Sequence, residues 1–466
     1  MIRCGDHRVE ETREPSVKIR GAEYGPALGT TVFLMDQSRL AKDLEVVAQR
    51  RRCNINGECS AGAPLRLGAE RADDRKPRLV GEGMQHRGYG NSVELRMFEY
   101  RSWIVPHTHL FRSSTKEGYH LGSHSTYFER KRTMISSTMR ALTFDGPTTD
   151  SSRTRVAVVP TPAPGTGEVL IRVTHAGINF KDVMMRRGDP GYVPVWPVIP
   201  GLEVAGVIER LGDGVDDLEI GIRVAALTNI GGLAEYVIAS EALTARIPDG
   251  VPSEVAAVVP GVWATAWLLL HEAARVRDGD TILVHSASGA VGTAIAALTE
   301  AIPDTTLIGV VGTASRLEDA RHAGYRHVFV RDDHLVDAVL TRLGGSGVDI
   351  VLDPQGTAWL DADLRMLAPA GRVVLFGNAS GAPLDPVPTG RLYAANAAVG
   401  GFSIAAMSAA APRRVQFAMD TVLHRIAEGS LTPGLNVTQG LDQAAALQQQ
   451  LADGTAKTKH VIRITP

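Results

Sequence analysis

A short apolar strand, Thr281-Ile-Leu-Val-His285, runs straight into Ser286-Ala287-Ser288-Gly289-Ala290-Val291-Gly292 and then into a segment of helical composition. No other feature limits the fold of this chain as much. A strand that is apolar on both faces must be covered on both sides, and the first amide groups of a helix have no partner within that helix. Strand, glycine turn and helix together predict a dinucleotide-binding unit with Ala287 at the first glycine position of the usual fingerprint. Gly289 lets the backbone approach a pyrophosphate, Gly292 lets the helix pack against the strand, and the helix N-terminus points amide donors at the phosphates. Alone, the loop is a weak signal, and a plain glycine turn before a helix is the alternative reading.

The surroundings strengthen it. Helical and strand patterns alternate over 264–276, 281–285, 292–301, 305–311, 316–323 and 327–330, with further strands at 348–352 and 371–376. Continuously apolar strands separated by helices predict a doubly wound parallel sheet over residues 263–400. Before it, from Met139, short strands at 167–174, 201–211, 221–227 and 232–239 are separated by glycine and aspartate turns and predict a β-rich module. The tail, with helices near 413–428 and 441–452 and a strand at 460–464, is expected to return to that module, which then comprises 139–262 and 401–466. Residues 1–138 are rich in arginine and show no sustained helical or alternating period. They are expected to be an N-terminal extension of no recognisable fold, either disordered or not part of the native protein.

Charge and cysteine usage exclude several functions. The 49 Lys and Arg nearly cancel the 51 Asp and Glu, leaving a net charge of −2 and no field to attract nucleic acid or anionic lipid. Binding of nucleic acid through the arginine-rich first segment ranks last among the readings. Cys4, Cys53 and Cys59 are the only cysteines and form neither a disulfide framework nor a zinc knuckle. The apolar run over 255–270 is broken by Pro260 and Gly261 and is shorter than the roughly 20 residues of a membrane span, so it is read as buried core. No secretory signal is recognisable, and a cytoplasmic enzyme without a membrane partner is the expectation.

After the second strand of the nucleotide unit the chain reads Val311-Gly312-Thr313-Ala314-Ser315-Arg316, with no carboxylate until Glu318. An NAD site usually places an acid there to hold the ribose 2′-hydroxyl. The hydroxyls of Thr313 and Ser315 and the guanidinium of Arg316 suit a 2′-phosphate instead, which predicts NADPH. The competing view is that Arg316 is a solvated residue of the first helical turn.

Several spaced motifs in one order, Asn179-Phe180-Lys181-Asp182, Pro200-Gly201-Leu202-Glu203, Thr265-Ala266, the glycine loop, Gly312-Thr313-Ala314, Asp353-Pro-Gln-Gly356 and Phe376-Gly377-Asn378-Ala379-Ser380-Gly381, resemble the zinc-independent quinone oxidoreductase and enoyl reductase branch of the medium-chain dehydrogenase/reductase superfamily. The resemblance covers 139–466. It implies an α/β protein with a GroES-like catalytic domain, an inserted Rossmann domain and an active site in the cleft between them. By matching position it implies that Ser288, Gly289, Ala290 and Val291 line the pyrophosphate, Gly312 the adenosine ribose, and Phe376, Gly377 and Asn378 the nicotinamide side. Arg316 and Arg331 fall where relatives surround the 2′-phosphate, and a homodimer is the assembly that relatives suggest.

Zinc-dependent members carry a cysteine and a histidine at the positions of Asn179 and Leu202. Leucine cannot ligate a cation, and the four-cysteine structural lobe is missing, so no metal is expected. Without a Lewis acid, hydride transfer to an enone, enoyl thioester or quinone is easier than reduction of a plain ketone. The resemblance implies Asn179, beside the nicotinamide in relatives, as the side chain that positions substrate or cofactor, and Tyr192, close to where enoyl reductases carry a tyrosine, as the candidate proton donor, with a structural role in a proline-rich turn as its alternative. The expected function is NADPH-dependent reduction of such a small-molecule substrate. A non-catalytic NADPH-binding or structural protein on the same fold is the alternative.

Overall fold

The computed structural model describes residues 135–192 and 195–464, and separately the antiparallel pairing of Arg52–Cys53 with Cys59–Ser60. Apart from that pairing and its last few residues, the 1–138 extension lies outside the described residues.

The larger unit opens with strands β1 (Thr138–Thr143) and β2 (Arg155–Pro160), paired antiparallel. β3 (Glu168–Gly177) follows, with Val169, Ile171 and Val173 fully buried. Its end leads through Asn179 into helix α1 (Phe180–Arg187), where Asp182 accepts a hydrogen bond from the Asn179 backbone N–H at 2.8 Å and so satisfies one donor at the helix start. Gly188 ends the helix in the left-handed conformation, φ 75°. β4 (Glu203–Leu211), β5 (Arg223–Leu227), β6 (Tyr236–Ser240) and β7 (Thr244–Arg246) complete this part of the module.

The apolar run predicted as core forms a broken helix, α2, over Ser253–Ala273. It is long and apolar enough to cross a membrane, yet Val258, Val259, Val262, Leu268, Leu269 and Leu270 are all buried inside the protein. Its middle begins at Val259 with π-type turns, and Pro260, which has no N–H, sits in the first turn.

Then come β8 (Thr281–His285), α3 (Ala290–Thr299), β9 (Thr306–Val311), α4 (Leu317–His322), β10 (His327–Val330), α5 (Leu335–Arg342), β11 (Val348–Asp353), α6 (Leu360–Met366), β12 (Leu367–Leu375), α7 (Thr389–Ala395) and β13 (Ala398–Gly401). The six strands form one parallel sheet in the order β10-β9-β8-β11-β12-β13. The order reverses between β8 and β11, and the crevice above that point is where such sheets bind ligands. Ile282, Leu283 and Val284 of β8 are fully buried, as a strand covered on both faces requires.

Helices α8 (Ile404–Ala410) and α9 (Pro412–Ala427) lead back, followed by β14 (Leu435–Gln439), α10 (Ala444–Ala452) and β15 (Lys459–Arg463). β15 inserts between β14 and β3, giving a sheet of order β14-β15-β3-β4-β5-β7 with β6 paired to β3. This is the GroES-like module with a Rossmann-type insertion. One hydrophobic core runs through both parts: Leu202 and Leu243 belong to the same cluster as Ile282, Ile295 and Val422. The two sides of the cleft therefore rest on shared packing.

Candidate active site

The glycine loop leaves β8 at His285, and Ser286 takes a left-handed conformation, φ 56°. Gly289 is the N-cap of α3 and offers no side-chain acceptor to its first amides. At Gly292 a Cβ would come within 2.5 Å of the Ala287 carbonyl oxygen, so this position admits only glycine. Gly289 is less confined, its nearest neighbour being the Ser286 carbonyl oxygen at 3.1 Å. The Tyr325 hydroxyl donates to the Gly292 carbonyl at 2.6 Å and pins the start of the helix from below. The cradle of backbone amides at the N-terminus of this ten-residue helix fits a pyrophosphate.

Arg316 lies across this loop. Its Nε donates to the Ser288 hydroxyl and its Nη2 to the Ser288 carbonyl, each at 3.2 Å, while Nη1 pairs with Asp319 at 3.1 Å. The side chain is 16% exposed, unlike a freely solvated arginine. Thr313 and Ser315 share a hydrogen bond at 3.0 Å on the exposed side of the same turn. Arg331 approaches from β10: a Cβ on Gly312 would lie 3.3 Å from its Nη2. Its guanidinium stacks over Trp359 at 6.0 Å, and burial holds its pKa below the usual arginine value. Arg316 is thus tied to the loop, whereas Arg331 is partly turned into the protein.

Arg331 turns toward the buried cluster of His285, Asp353 and Asp363. His285 Nε2 and Asp363 Oδ1 are 2.8 Å apart, and His285, Asp353 and Asp363 offer ligand-type atoms all within 4.8 Å of one another. Burial pushes both carboxyls up to about 7 and the imidazole down to about 4. The positive charge of Arg331 opposes the rise at Asp363. Asp353 is legible in the Asp-Pro-Gln-Gly motif, but Asp363 sits on α6 with no motif around it.

The 376–381 loop is closed onto that motif. Phe376 donates its backbone N–H to the Asp353 carbonyl at 2.9 Å, and the Ser380 hydroxyl donates to Gln355 O at 2.7 Å and bonds Asn378 Oδ1 at 2.9 Å. Gln355 Nε2 reaches Ser286 Oγ at 3.0 Å, which joins this loop to the glycine loop. A Cβ on Gly377 would lie 3.2 Å from the Pro354 carbonyl oxygen.

Across from it stands α1. Arg187, paired with Asp189 at 2.6 Å and lying over the Phe180 ring, comes within 3.8 Å of where a Cβ on Gly381 would be. At the start of α1 the Asn179 amide is engaged on both sides: Nδ2 donates to Glu203 Oε1 at 3.0 Å and Oδ1 accepts from Lys459 Nζ at 2.7 Å. Lys459 also pairs with Glu203 at 2.6 Å. The other Glu203 oxygen accepts from the backbone N–H groups of Gly261 and Val262, at 2.7 and 3.2 Å, capping the middle of α2 from the catalytic module. Leu202 is buried in the shared core. Tyr192 is half-buried against the core of the β-rich module, and burial, with Asp189 nearby, raises its pKa above the usual phenol value.

Comparison with known proteins agrees with this architecture. The alcohol dehydrogenase GroES-like domain matches residues 165–249, and the zinc-binding dehydrogenase domain matches residues 290–421. The chain is 38% identical over 219 residues to the synaptic vesicle membrane protein VAT-1 homolog-like of Homo sapiens, covering 47% of this chain and only 52% of that relative. It thus spans about half of that protein's length. Quinone oxidoreductase of Sus scrofa is 30% identical over 260 residues, covering 55% of this chain and 77% of its own. A solved mycobacterial protein complexed with NADPH is similar with TM-score 0.63 at 30% identity, over 70% of this chain and 99% of the other.

Proposed function

Because this chain belongs to the quinone oxidoreductase branch of the medium-chain dehydrogenase/reductase superfamily, we propose that it is an NADPH-dependent reductase delivering hydride, without zinc, to a quinone or to the activated C=C bond of an enone or enoyl thioester. The observation that carries the reading is Arg316 held on Ser288 beside the cradle of α3, with no carboxylate on the Gly312–Ser315 turn. A 2′-phosphate there meets a guanidinium already ordered by its neighbours. The NADPH bound by the mycobacterial relative supports the same choice.

Bound NADPH would supply the hydride. The chain's own residues orient and shield. Ser288, Gly289, Ala290, Val291 and Gly292 hold the pyrophosphate, Gly312, Thr313, Ser315, Arg316 and Arg331 surround the adenosine end, and Phe376, Gly377 and Asn378 back the nicotinamide side. Asn179 offers an oriented amide to the reacting groups. Negative charge developing on an enolate or quinol oxygen is stabilised by such donors. Tyr192, a phenol protonated at neutral pH, holds the proton delivered to the substrate.

The zinc-free assignment rests on residue chemistry. Leu202 offers no ligand atom, and the Lys459 ammonium, 2.7 Å from Asn179 Oδ1, repels a second cation there. The substrate is a small molecule and the assembly a homodimer. We place the protein in the cytoplasm and read α2, most of it buried inside the protein, as a core helix.

The test is a turnover screen of the purified protein with NADPH against simple quinones, enones and enoyl thioesters. Consumption of NADPH with any of these classes supports the proposal. Tight NADPH binding with no turnover would identify a non-catalytic protein on the same fold.

A further inference from the structure

Lys459 is buried, its side chain 5% exposed, and comes from the last strand of the chain. An ammonium has three hydrogens. Here two are donated, to the Ile178 carbonyl at 2.9 Å and to Asn179 Oδ1 at 2.7 Å, and Glu203 Oε1 lies 2.6 Å from the nitrogen as its ion-pair partner. Held among these three oxygens, Lys459 is a connector between Asn179 and Glu203.

The connection fixes one orientation of Asn179. An ammonium can only donate, so the amide atom facing it must be Oδ1; an ionised carboxylate can only accept, so the atom facing Glu203 must be Nδ2. Turning the amide over would set donor against donor and acceptor against acceptor at two buried sites, which is costly at low local dielectric. The Nδ2 contact to the Gly177 carbonyl is the longest in the set, at 3.3 Å. Its hydrogen is the part of this side chain that an incoming ligand captures at least cost. Two glycines make room for the arrangement: a Cβ on Gly177 would lie 2.4 Å from Glu203 Oε1, and one on Gly261 2.8 Å from Oε2.

We infer that Lys459 is a positioning residue of the active site: through Glu203 and Oδ1 it locks the Asn179 amide so that a ligand meets an N–H donor and never a freely turning amide. The inference rests on the reductase reading, in which Asn179 faces the reacting groups.

The experiment compares the full-length wild type with Lys459→Met, Lys459→Arg, Asn179→Leu and the Lys459→Met, Asn179→Leu double variant. It measures kcat with NADPH and a simple quinone, the NADPH dissociation constant, and hydrogen exchange of the Asn179 side-chain amide in asparagine-labelled protein. Lys459→Met should lower kcat about 10- to 100-fold, the scale expected when a reacting group is misplaced, with NADPH affinity nearly unchanged. Lys459→Arg should recover part of the loss. The double variant should be no slower than Asn179→Leu alone, because Lys459 acts through Asn179. Fully additive losses would overturn the inference.

If Lys459→Met does not fold because Glu203 is left buried and unpaired, the neutral pair Lys459→Met, Glu203→Gln replaces it in every arm. If the wild type turns over no acceptor, the reductase reading fails, and amide exchange still decides about Lys459. Slow exchange at Asn179 that becomes fast without the ammonium supports the lock; unchanged exchange overturns it.

Discussion

Arg316 clasps Ser288 through both its hydroxyl and its carbonyl, at 3.2 Å each, so the arginine closes over the loop that begins the nucleotide helix. This pre-orders a guanidinium where a 2′-phosphate is expected, although Asp319 already takes part of its charge. A hydrogen bond to a charged partner contributes about 1.5–3 kcal/mol. Arg316→Ala should therefore raise the NADPH dissociation constant by about tenfold or more and leave NADH nearly unaffected. Titration of both cofactors by fluorescence checks this. Equal losses for the two would show that Arg316 serves only the loop. Arg331→Ala should differ, since this side chain also faces Asp353 and Asp363: it should lower the melting temperature as well as the affinity.

The buried acids make stability depend on pH in a definite direction. Folded Asp353 and Asp363 hold protons up to about 7, whereas an unfolded aspartate releases its proton near 4. Between those values the folded state binds more protons, so stability falls as pH rises through the window and the loss is complete above about 7. His285, lowered to about 4, acts oppositely: its contribution is present above about 6.5 and is lost as pH falls toward 4. Removing one carboxyl isolates the first effect. In Asp363→Asn the drop in melting temperature between about pH 5.5 and about pH 8 should shrink relative to the wild type. An unchanged drop would mean that the pair does not titrate in this range.

The Tyr192 phenol is protonated at neutral pH at its ordinary pKa near 10, and burial, which raises that pKa, makes the proton harder to give up until the substrate carbanion or enolate draws it. Tyr192→Phe retains the ring against the core and removes only the hydroxyl. If that hydroxyl delivers the proton, kcat should fall about a hundredfold with little change in melting temperature. An unchanged rate removes Tyr192 from the mechanism and leaves it as a packing residue of its turn.

Metal dependence gives a separate check. With Leu202 buried and an ammonium beside Asn179, turnover should survive prolonged dialysis against a chelator, and elemental analysis should find no stoichiometric zinc. Activity that vanishes on chelation and returns with zinc would overturn this.

The parts of the fold that were legible in the sequence are those where one residue answers to one local demand. The β8 and β10 strands match the predicted spans, 281–285 and 327–330, because both read as short apolar runs next to turn residues. Gly292 was identifiable because the contact it permits lies only five residues back in the loop. α1 was not predicted: Asp182 and Arg186 lie among its buried residues, which blunts the apolar period that marks a helix. β13 is an edge strand with mostly exposed residues and leaves no apolar signal. Asn179 was found as a motif residue, but its bond to Lys459 spans 280 positions of sequence and has no local signature. The same holds for Asp363, which meets His285 only after the sheet has formed.

β15 is held between β14 and β3, the strand that leads to Asn179, although it lies far later in the sequence. During synthesis at about 5–20 residues per second, the 280 residues between Asn179 and Lys459 take roughly 15 to 60 seconds to emerge. For that time the sheet of the first module lacks the strand beside β3, and Glu203 is a buried-to-be carboxylate with no ammonium. The inserted nucleotide domain, whose strands are contiguous in sequence, is complete earlier. The polar lock thus forms only once Lys459 has emerged, long after Asn179 and Glu203, and loss of β15 would leave the Glu203 carboxylate without its ammonium partner.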